Sequence, residues 1–252
     1  MRSRPTDHAR RAIGLGLMVL ATVALIVPGA AARQARHYAL ESVDGLRLHN
    51  VTAQPAALQG KKGLRVTMSD EALRRLQGMP PADQAQVQQL ALVEGVDFTN
   101  GVIQAEIAGV PAPGAPEGAR GFVGIAFRLQ SDMKTYDAFY LRPTNGRAED
   151  QERRNHAAQY ISHPDWPWSR LRKETPSRYE SYVDLVPGVW TRVRIEVRGD
   201  RARLYVHGHE EPTLIVSDVK TGADGKGAVA LWVGPGTVAH FRNLTVEPLQ
   251  GK

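Results

Sequence analysis

The sequence predicts an all-β protein in which two antiparallel sheets pack as a sandwich. From residue 90 onward, short apolar segments alternate with Gly, Pro, Asn and Asp about every ten residues, which indicates strands and turns. Long segments with an apolar residue every three to four positions, which would predict helices and an α/β fold, are nearly absent. In residues 190–197, Val193, Ile195 and Val197 alternate with charged residues, as in a strand with one buried face.

The first 32 residues have the three-part pattern of a secretory signal peptide. Residues 1–11 are basic and polar, residues 12–27 form an apolar run of 16, and Pro28-Gly29 then precedes small residues at 30–32. Such a run falls short of the roughly 20 residues that span a bilayer, so we expect cleavage rather than retention as an anchor. The sequence therefore predicts export to the periplasm or the cell exterior, no membrane attachment after cleavage, and a single domain over residues 33–252.

The charge and the absence of cysteine exclude several classes of function. The formal net charge is +6, and the signal segment contributes +3 of it, from four arginines against one aspartate. The remaining charges are of mixed sign, which does not suit a protein that follows a nucleic-acid backbone. Because the chain has no cysteine, it has no disulfide, thiolate metal site or catalytic thiol.

The predicted elements beyond the signal segment are mostly strands. They cover residues 38–52, 64–68, 90–93, 102–107, 122–129, 136–141, 182–185, 190–197, 202–206, 213–216, 228–233 and 238–246. Ser69 is expected to cap a short helix that ends at Gly78. Gly199-Asp200 is expected to form a two-residue hairpin turn, and the glutamine-rich piece 84–89 has no assigned function.

The longest connection, residues 144–180, is predicted to be an ordered excursion that builds a site on the β scaffold. A connection of this length is usually functional or disordered, and disordered segments are poor in aromatic residues. This one contains Tyr160, Trp166, Trp168 and Tyr179. The alternative is that its charges form surface ion pairs and its tryptophans only attach the loop to the sandwich.

Several short motifs, taken in order, resemble a concanavalin A-like lectin/glucanase domain. They are Asn100-Gly101, GFVGIAFR at 121–128, Trp190 with the strand and hairpin that follow it, GAVALWV at 227–233, and FRNL at 241–244. The resemblance is to the laminin-G-like and 3-keto-disaccharide-hydrolase-like branches of exported bacterial proteins, and it covers residues 37–248. It implies a jelly-roll sandwich that takes ligands on a concave face or its rim. The Glu-x-Asp-x-x-Glu strand motif of the related glucanases is absent, so their mechanism is not carried over.

The excursion and the strand end before it supply the candidate ligand-binding residues. Sugar hydroxyls need hydrogen-bond donors and acceptors, and a tryptophan ring offers a flat, stiff apolar face to a sugar ring. Polar groups that converge around aromatic rings are the usual composition of a small-ligand site. The predicted ligand-binding residues are Arg142, Asn145, Asp150, Arg153, Arg154, Asn155, His156, Gln159, Tyr160, Trp166 and Trp168.

The sequence is compatible with three functions. The preferred one is an exported, lectin-like domain that binds an oligo- or polysaccharide. The second is a glycoside hydrolase, which needs two carboxylates about 5 Å or about 6.5–9.5 Å apart. Its catalytic candidates are Asp150, Glu152 and Glu180, with Asp165 and Glu106 also available. The third is a structural or adhesive sandwich that binds another protein through Trp166 and Trp168.

No metal or other cofactor is predicted. His207 and His209 flank a glycine in a region that is expected to be a solvated hairpin loop. Calcium binding through Asp218 and Asp224 stays open, but no calcium-loop spacing indicates it.

Overall fold

Fifteen strands form two antiparallel sheets in the computed structural model, which describes residues 35–80 and 87–249. Sheet A consists of β1 (Arg36–Tyr38), β3 (Val51–Leu58), β4 (Lys61–Met68), β6 (Gly101–Pro111), β11 (Thr191–Arg198), β12 (Arg201–Val206), β13 (Leu214–Val216) and β15 (Thr237–Pro248). Sheet B consists of β2 (Leu46–His49), β5 (Leu90–Phe98), β7 (Val123–Leu129), β8 (Tyr136–Leu141), β9 (Ala158–His163), β10 (Glu180–Ser181) and β14 (Gly227–Val233). The strand order is β13-β12-β11-β6-β15-β4-β3 in sheet A, where β1 also pairs with β15, and β10-β9-β8-β7-β14-β5-β2 in sheet B.

The inner faces of the two sheets enclose one hydrophobic core. Val193, Ile195 and Val197 of β11 are buried there, which confirms the alternation predicted for this strand. From sheet B, Phe127 and Phe139 pack with a centroid distance of 6.2 Å. Burial of these apolar faces is the main force that holds the sheets together.

The helices of the described chain are short. They are α1 (Asp70–Gln77), α2 (Gln151–Asn155) and α3 (Trp168–Glu174), together with a 3₁₀ turn at Pro143–Asn145. The Ser69 hydroxyl accepts a hydrogen bond from the Ala72 N–H at 3.2 Å, so the predicted N-cap of α1 is confirmed. The Asp150 carboxylate caps α2 in the same way, by accepting from the Arg153 N–H at 2.9 Å.

The excursion adds two strands to sheet B, because β9 pairs with β8 and β10 pairs with β9. The strand predicted at 182–185 is wrong, since this segment has no regular structure. Val183 and Leu185 are nevertheless buried, so their alternation reflects packing and not a ladder. The Leu185 backbone passes so close to Gly146 that a Cβ there would lie 2.3 Å from the Leu185 nitrogen.

Alternate residues of sheet B point away from the core and form its outer face. Tyr140 on β8 is paired with Gly124 on β7 and with Gln159 on β9. Gly124 is in turn paired with Trp232 on β14. Since directly paired residues of neighbouring strands share a face, the side chains of Tyr140, Gln159 and Trp232 all project from this outer face.

Some predictions fall on parts of the chain outside the described residues. The signal peptide predicted over residues 1–32 is one, and residues 84–86 of the glutamine-rich piece are another. Residues 87–89 of that piece are described and lead into β5. Within 35–80 and 87–249, no helix has the length and apolar character needed to cross a membrane.

Candidate functional site

An aromatic pocket with a volume of about 310 Å³ opens on the outer face of sheet B. Phe122, Tyr140, Trp168 and Trp232 line it together with aliphatic and proline side chains. The Tyr140 and Trp232 rings stack with a centroid distance of 4.6 Å, and Phe122 meets Tyr140 edge-on at 6.0 Å. Tyr140 and Trp232 are buried and form the floor, whereas Trp168 is 46% exposed and forms an open wall. This volume is at the lower end of the range for small-ligand pockets.

A relay of hydrogen bonds crosses the outer face of sheet B and reaches the pocket. The Trp232 indole N–H donates to the Tyr136 hydroxyl at 2.9 Å, and that hydroxyl donates to Oε1 of Gln88. Nε2 of Gln88 lies 3.5 Å from Nδ1 of His163. An indole N–H can only donate, so the Tyr136 hydroxyl accepts from it and donates to the Gln88 oxygen. The Gln88 amide nitrogen can only donate as well, so Nδ1 of His163 accepts and the imidazole carries its proton on Nε2.

His163 is neutral at pH 7, because burial lowers the pKa of its imidazole to about 4. Its ring stacks on Tyr136 with a centroid distance of 5.2 Å, which fixes its position on the sheet. The Nε2–H is therefore a positioned, uncharged donor beside the aromatic rings.

Glu180 attaches the excursion to the edge of sheet B through a buried ion cluster. Its side chain is 3% exposed, and it accepts hydrogen bonds from the Arg172 guanidinium. Nη1 of Arg142 lies 3.5 Å from Oε1 of Glu180, and Nε2 of His156 lies 3.2 Å from Oε2. Burial is the largest cause that lowers the pKa of His156, and the two arginines lower it further against the opposing effect of Glu180.

Arg142 connects this cluster to the aromatic pocket. Its guanidinium donates to the Tyr140 hydroxyl at 2.7 Å and to Oε1 of Gln159 at 3.0 Å. The guanidinium carbons of Arg172 and Arg142 lie 4.7 Å and 5.9 Å from the ring centroid of Trp168. The cluster therefore positions both the floor residue Tyr140 and the wall residue Trp168.

The predicted ligand-binding residues are placed in three different environments. Trp168 is the only one of them among the described residues that line the aromatic pocket. Arg142, His156 and Gln159 belong to the buried framework behind it. Asn145 is also buried there and donates to the carbonyl of His156 at 3.2 Å.

Four other predicted residues lie on or beside α2, and none of them lines the pocket. Asp150 caps the helix through the Arg153 N–H. Arg154 donates to the Tyr182 hydroxyl at 3.0 Å, with its guanidinium carbon 5.0 Å from the Tyr182 ring centroid. Arg153 is half-buried and Asn155 is exposed.

The last two predicted residues, Tyr160 and Trp166, are also away from the pocket lining. Tyr160 is fully buried, donates to Oδ1 of Asp137 at 2.6 Å and accepts from the Lys220 N–H at 2.8 Å. Trp166 is half-buried, with the Arg170 guanidinium carbon at 3.9 Å and the Lys220 ammonium at 4.5 Å from its ring centroid. These contacts fix the excursion to the sandwich.

Sequence reasoning did not select Tyr140, Trp232 or Gln88 as site residues. For Tyr140 a signal was present, because Tyr136 and Tyr140 are four residues apart in one strand and therefore share a face. For Trp232 and Gln88 the sequence offers no local signal, since their placement depends on which strands become neighbours.

The carboxylates proposed for hydrolysis are not brought together at the pocket. Asp150 and Glu152 are exposed on α2, and Glu180 is enclosed by basic groups. No Asp or Glu is among the described residues that line the aromatic pocket. Over 35–80 and 87–249, no group of three or more His, Asp or Glu side chains is arranged to hold a metal ion, and His207 and His209 are both exposed.

No family model and no curated protein matches the sequence. Similar solved structures include the Crh5 transglycosylase in complex with NAG, at 10% identity and a TM-score of 0.50, with 87% of this chain and 86% of that chain covered. A Bacillus subtilis protein of unknown function with a galectin-like fold has 12% identity, a TM-score of 0.49 and coverages of 84% and 94%. The carbohydrate-binding module CBM66 from Bacillus subtilis has 12% identity, a TM-score of 0.48 and coverages of 80% and 97%. At such identities the likeness concerns the fold alone. With its two antiparallel sheets, the chain has the predicted concanavalin A-like lectin/glucanase fold, a jelly-roll sandwich.

Proposed function

We propose that this protein is an exported carbohydrate-binding protein whose ligand occupies the aromatic pocket. The observation that carries the proposal is the combination of an open indole wall, Trp168, with a stacked aromatic floor, Tyr140 and Trp232. A sugar ring has C–H groups on its faces and hydroxyls around its rim, so it suits a pocket that is aromatic on one side and polar at its edge.

Polar groups at the edge of the pocket supply the hydrogen bonds that hydroxyls need. The Nε2–H of His163 is a donor, and the Ser169 hydroxyl both donates and accepts.

Binding is favoured over hydrolysis by the composition of the pocket. Hydrolysis needs two carboxylates on either side of the glycosidic bond. The described lining contains none, and the most buried candidate, Glu180, has its oxygens engaged by Arg172, Arg142 and His156. Of the predicted residues, Arg142 supports the ligand indirectly, because its guanidinium contacts both Tyr140 and Trp168.

The test is binding of the purified protein to a glycan array, followed by calorimetry on each glycan that is retained. We expect Trp168→Ala to raise the Kd at least about tenfold, because the ligand loses an aromatic surface of large area. Trp168→Phe should lose less, since it keeps a flat ring. Tyr182→Ala is the matched control, because Tyr182 is an exposed aromatic residue next to the excursion that does not line the pocket.

Three results would count against the proposal. Wild-type affinity in Trp168→Ala would place the site elsewhere on the sandwich. A complete lack of glycan binding by the wild-type protein would end the carbohydrate proposal and leave the adhesive alternative. Release of reducing sugar from a retained glycan would establish the hydrolase alternative.

A further inference from the structure

A second pocket, here named the basic pocket, adjoins the aromatic pocket on the outer face of sheet B. Its volume is about 550 Å³. Val87, Gln88 and His163 line both pockets and therefore form a shared wall between them. The two pockets are therefore neighbours, with the side chains of these three residues between them.

The basic pocket carries positive charge without a balancing carboxylate in its described lining. Arg75 of α1 and Lys134, from the turn between β7 and β8, line it beside His49 and Asn50. Neither Arg75 nor Lys134 forms an ion pair with a described Asp or Glu. Asp132, which is close in sequence to Lys134, accepts hydrogen bonds from the Lys134 and Thr135 N–H groups and the Thr135 hydroxyl within its own turn.

The electrostatic environment of His49 agrees with this charge distribution. Burial is the largest cause that lowers the pKa of His49, and Arg75, Arg47 and Lys134 lower it further. No carboxylate of the described residues is among these causes, so their contribution to the surroundings of the imidazole is electropositive.

The Arg75 guanidinium is already oriented for a ligand. It donates to Oδ1 of Asn50, and Nδ2 of Asn50 donates to the carbonyl of Gln88 at 2.7 Å. Asn50 therefore ties the cation to the shared wall, at a fixed distance from the aromatic pocket. A held guanidinium loses less entropy when it forms paired hydrogen bonds to a planar or tetrahedral anion.

We propose that the basic pocket binds an anionic substituent of the carbohydrate, either the carboxylate of a uronic acid or a sulfate ester. The protein would then select acidic glycans over neutral ones of the same backbone. This inference rests on the proposed function, because it takes the sugar in the aromatic pocket as the anchor of the ligand. Lys134 contributes a compact charge at the open side, and Arg75 contributes directed hydrogen bonds.

The test compares glycans that differ only in charge. Galacturonan oligosaccharides are compared with their methyl esters, and sulfated galactan oligosaccharides are compared with their desulfated forms. Every other acidic glycan of the array is compared with its neutral counterpart. We expect the charged form to bind about tenfold more tightly in calorimetry, and this ratio to fall as salt is raised from 50 to 200 mM. Lys134→Gln and Arg75→Gln should each reduce the ratio, because each weakens binding of the charged form more than binding of the neutral form.

Lys62→Gln is the matched control, because this substitution removes the same charge from an exposed lysine on β4 of sheet A. A charge preference that persists in Lys134→Gln and Arg75→Gln, or equal affinity for both members of every pair, would overturn the assignment of the basic pocket. In both cases the aromatic pocket would keep its role. A wild-type protein that binds no glycan would instead overturn the proposed function. A preference confined to uronates, or to sulfates, supports the inference and identifies the anion.

Discussion

The Glu180 carboxylate lies among Arg142, Arg172 and His156, with only 3% of its side chain exposed. The Arg142 side chain is only 6% exposed, so little of it contacts water that could solvate its charge in place of Glu180. A buried pair of this kind adds little net stability over an apolar pair, but removal of one partner leaves an uncompensated charge. The cluster therefore makes the position of the excursion dependent on a single carboxylate.

We predict that Glu180→Gln lowers the free energy of unfolding by about 3 kcal/mol, because the amide keeps the shape of the side chain but leaves Arg142 unpaired. Urea denaturation of the two proteins measures the difference. Glu174→Gln is the control, since Glu174 is 46% exposed and pairs with Arg170 on the surface of α3 at 2.8 Å. That change should cost less than about 0.5 kcal/mol. Equal effects of the two substitutions would contradict a structural role for the buried cluster.

Residue type alone did not reveal which tryptophan lines the aromatic pocket. Trp166 and Trp168 flank Pro167 and have the same chemistry, so sequence reasoning treated them as a pair. Trp166 forms a bridge with Ser162 at the end of β9, whereas α3 begins at Trp168. Because Trp166 belongs to a β-bridge and Trp168 to a helix, the two rings contact different neighbours. Which local structure each residue adopts depends on tertiary packing.

At the scale of elements, one glycine allows the aromatic floor to form. Gly124 lies on β7 between Tyr140 on β8 and Trp232 on β14, and the two rings stack across it at 4.6 Å. A Cβ at Gly124 would lie 2.2 Å from the Phe139 carbonyl oxygen and 2.6 Å from Cβ of Tyr140. A glycine inside a strand often marks such a close approach.

We predict that Gly124→Ala displaces Tyr140, lowers the free energy of unfolding by about 1–3 kcal/mol and weakens glycan binding. Thermal denaturation and calorimetry with a retained glycan measure the two effects. Gly118→Ala is the matched control, because a Cβ there would have no atom within 4 Å. Full stability and affinity in Gly124→Ala would mean that the stack does not need this glycine.

Elements that form from local signals could be predicted from the sequence, and elements that depend on distant neighbours could not. The hairpin at Gly199-Asp200 is confirmed, with Arg198 paired to Arg201. In contrast, β9 was hidden in the excursion, because its six residues become a strand only where β8 offers a free edge.

At the scale of the whole molecule, the candidate site is assembled from segments that are far apart in sequence. The Gln88 side chain meets Tyr136 at a separation of 48 residues and His163 at a separation of 75, and Trp232 meets Tyr136 at a separation of 96. The jelly-roll strand order brings them onto one face. The sandwich could therefore be predicted well from the sequence and the composition of the pocket poorly, because no local pattern encodes these long-range side-chain contacts.

The same assembly buries several histidines, which makes the stability of the whole molecule depend on pH. Burial is the largest cause that lowers the pKa values of His49, His156, His163 and His240. Above about pH 6.5 these groups are neutral in both the folded and the unfolded state. Below that pH the unfolded chain takes up protons first, so stability is lost as the pH falls toward the folded pKa values.

His163 should dominate this dependence, because its folded pKa of about 4 lies well below the unfolded value. We predict that it accounts for about 2 kcal/mol of the stability lost between pH 7 and pH 5. Urea denaturation at both pH values tests this: His163→Gln, which cannot titrate, should lose about 2 kcal/mol less than the wild-type protein over that interval. His209→Gln, at an exposed histidine, should lose as much as the wild-type protein. Equal losses in all three proteins would mean that His163 is protonated as readily in the folded state as in the unfolded one, and that its burial does not hold it neutral.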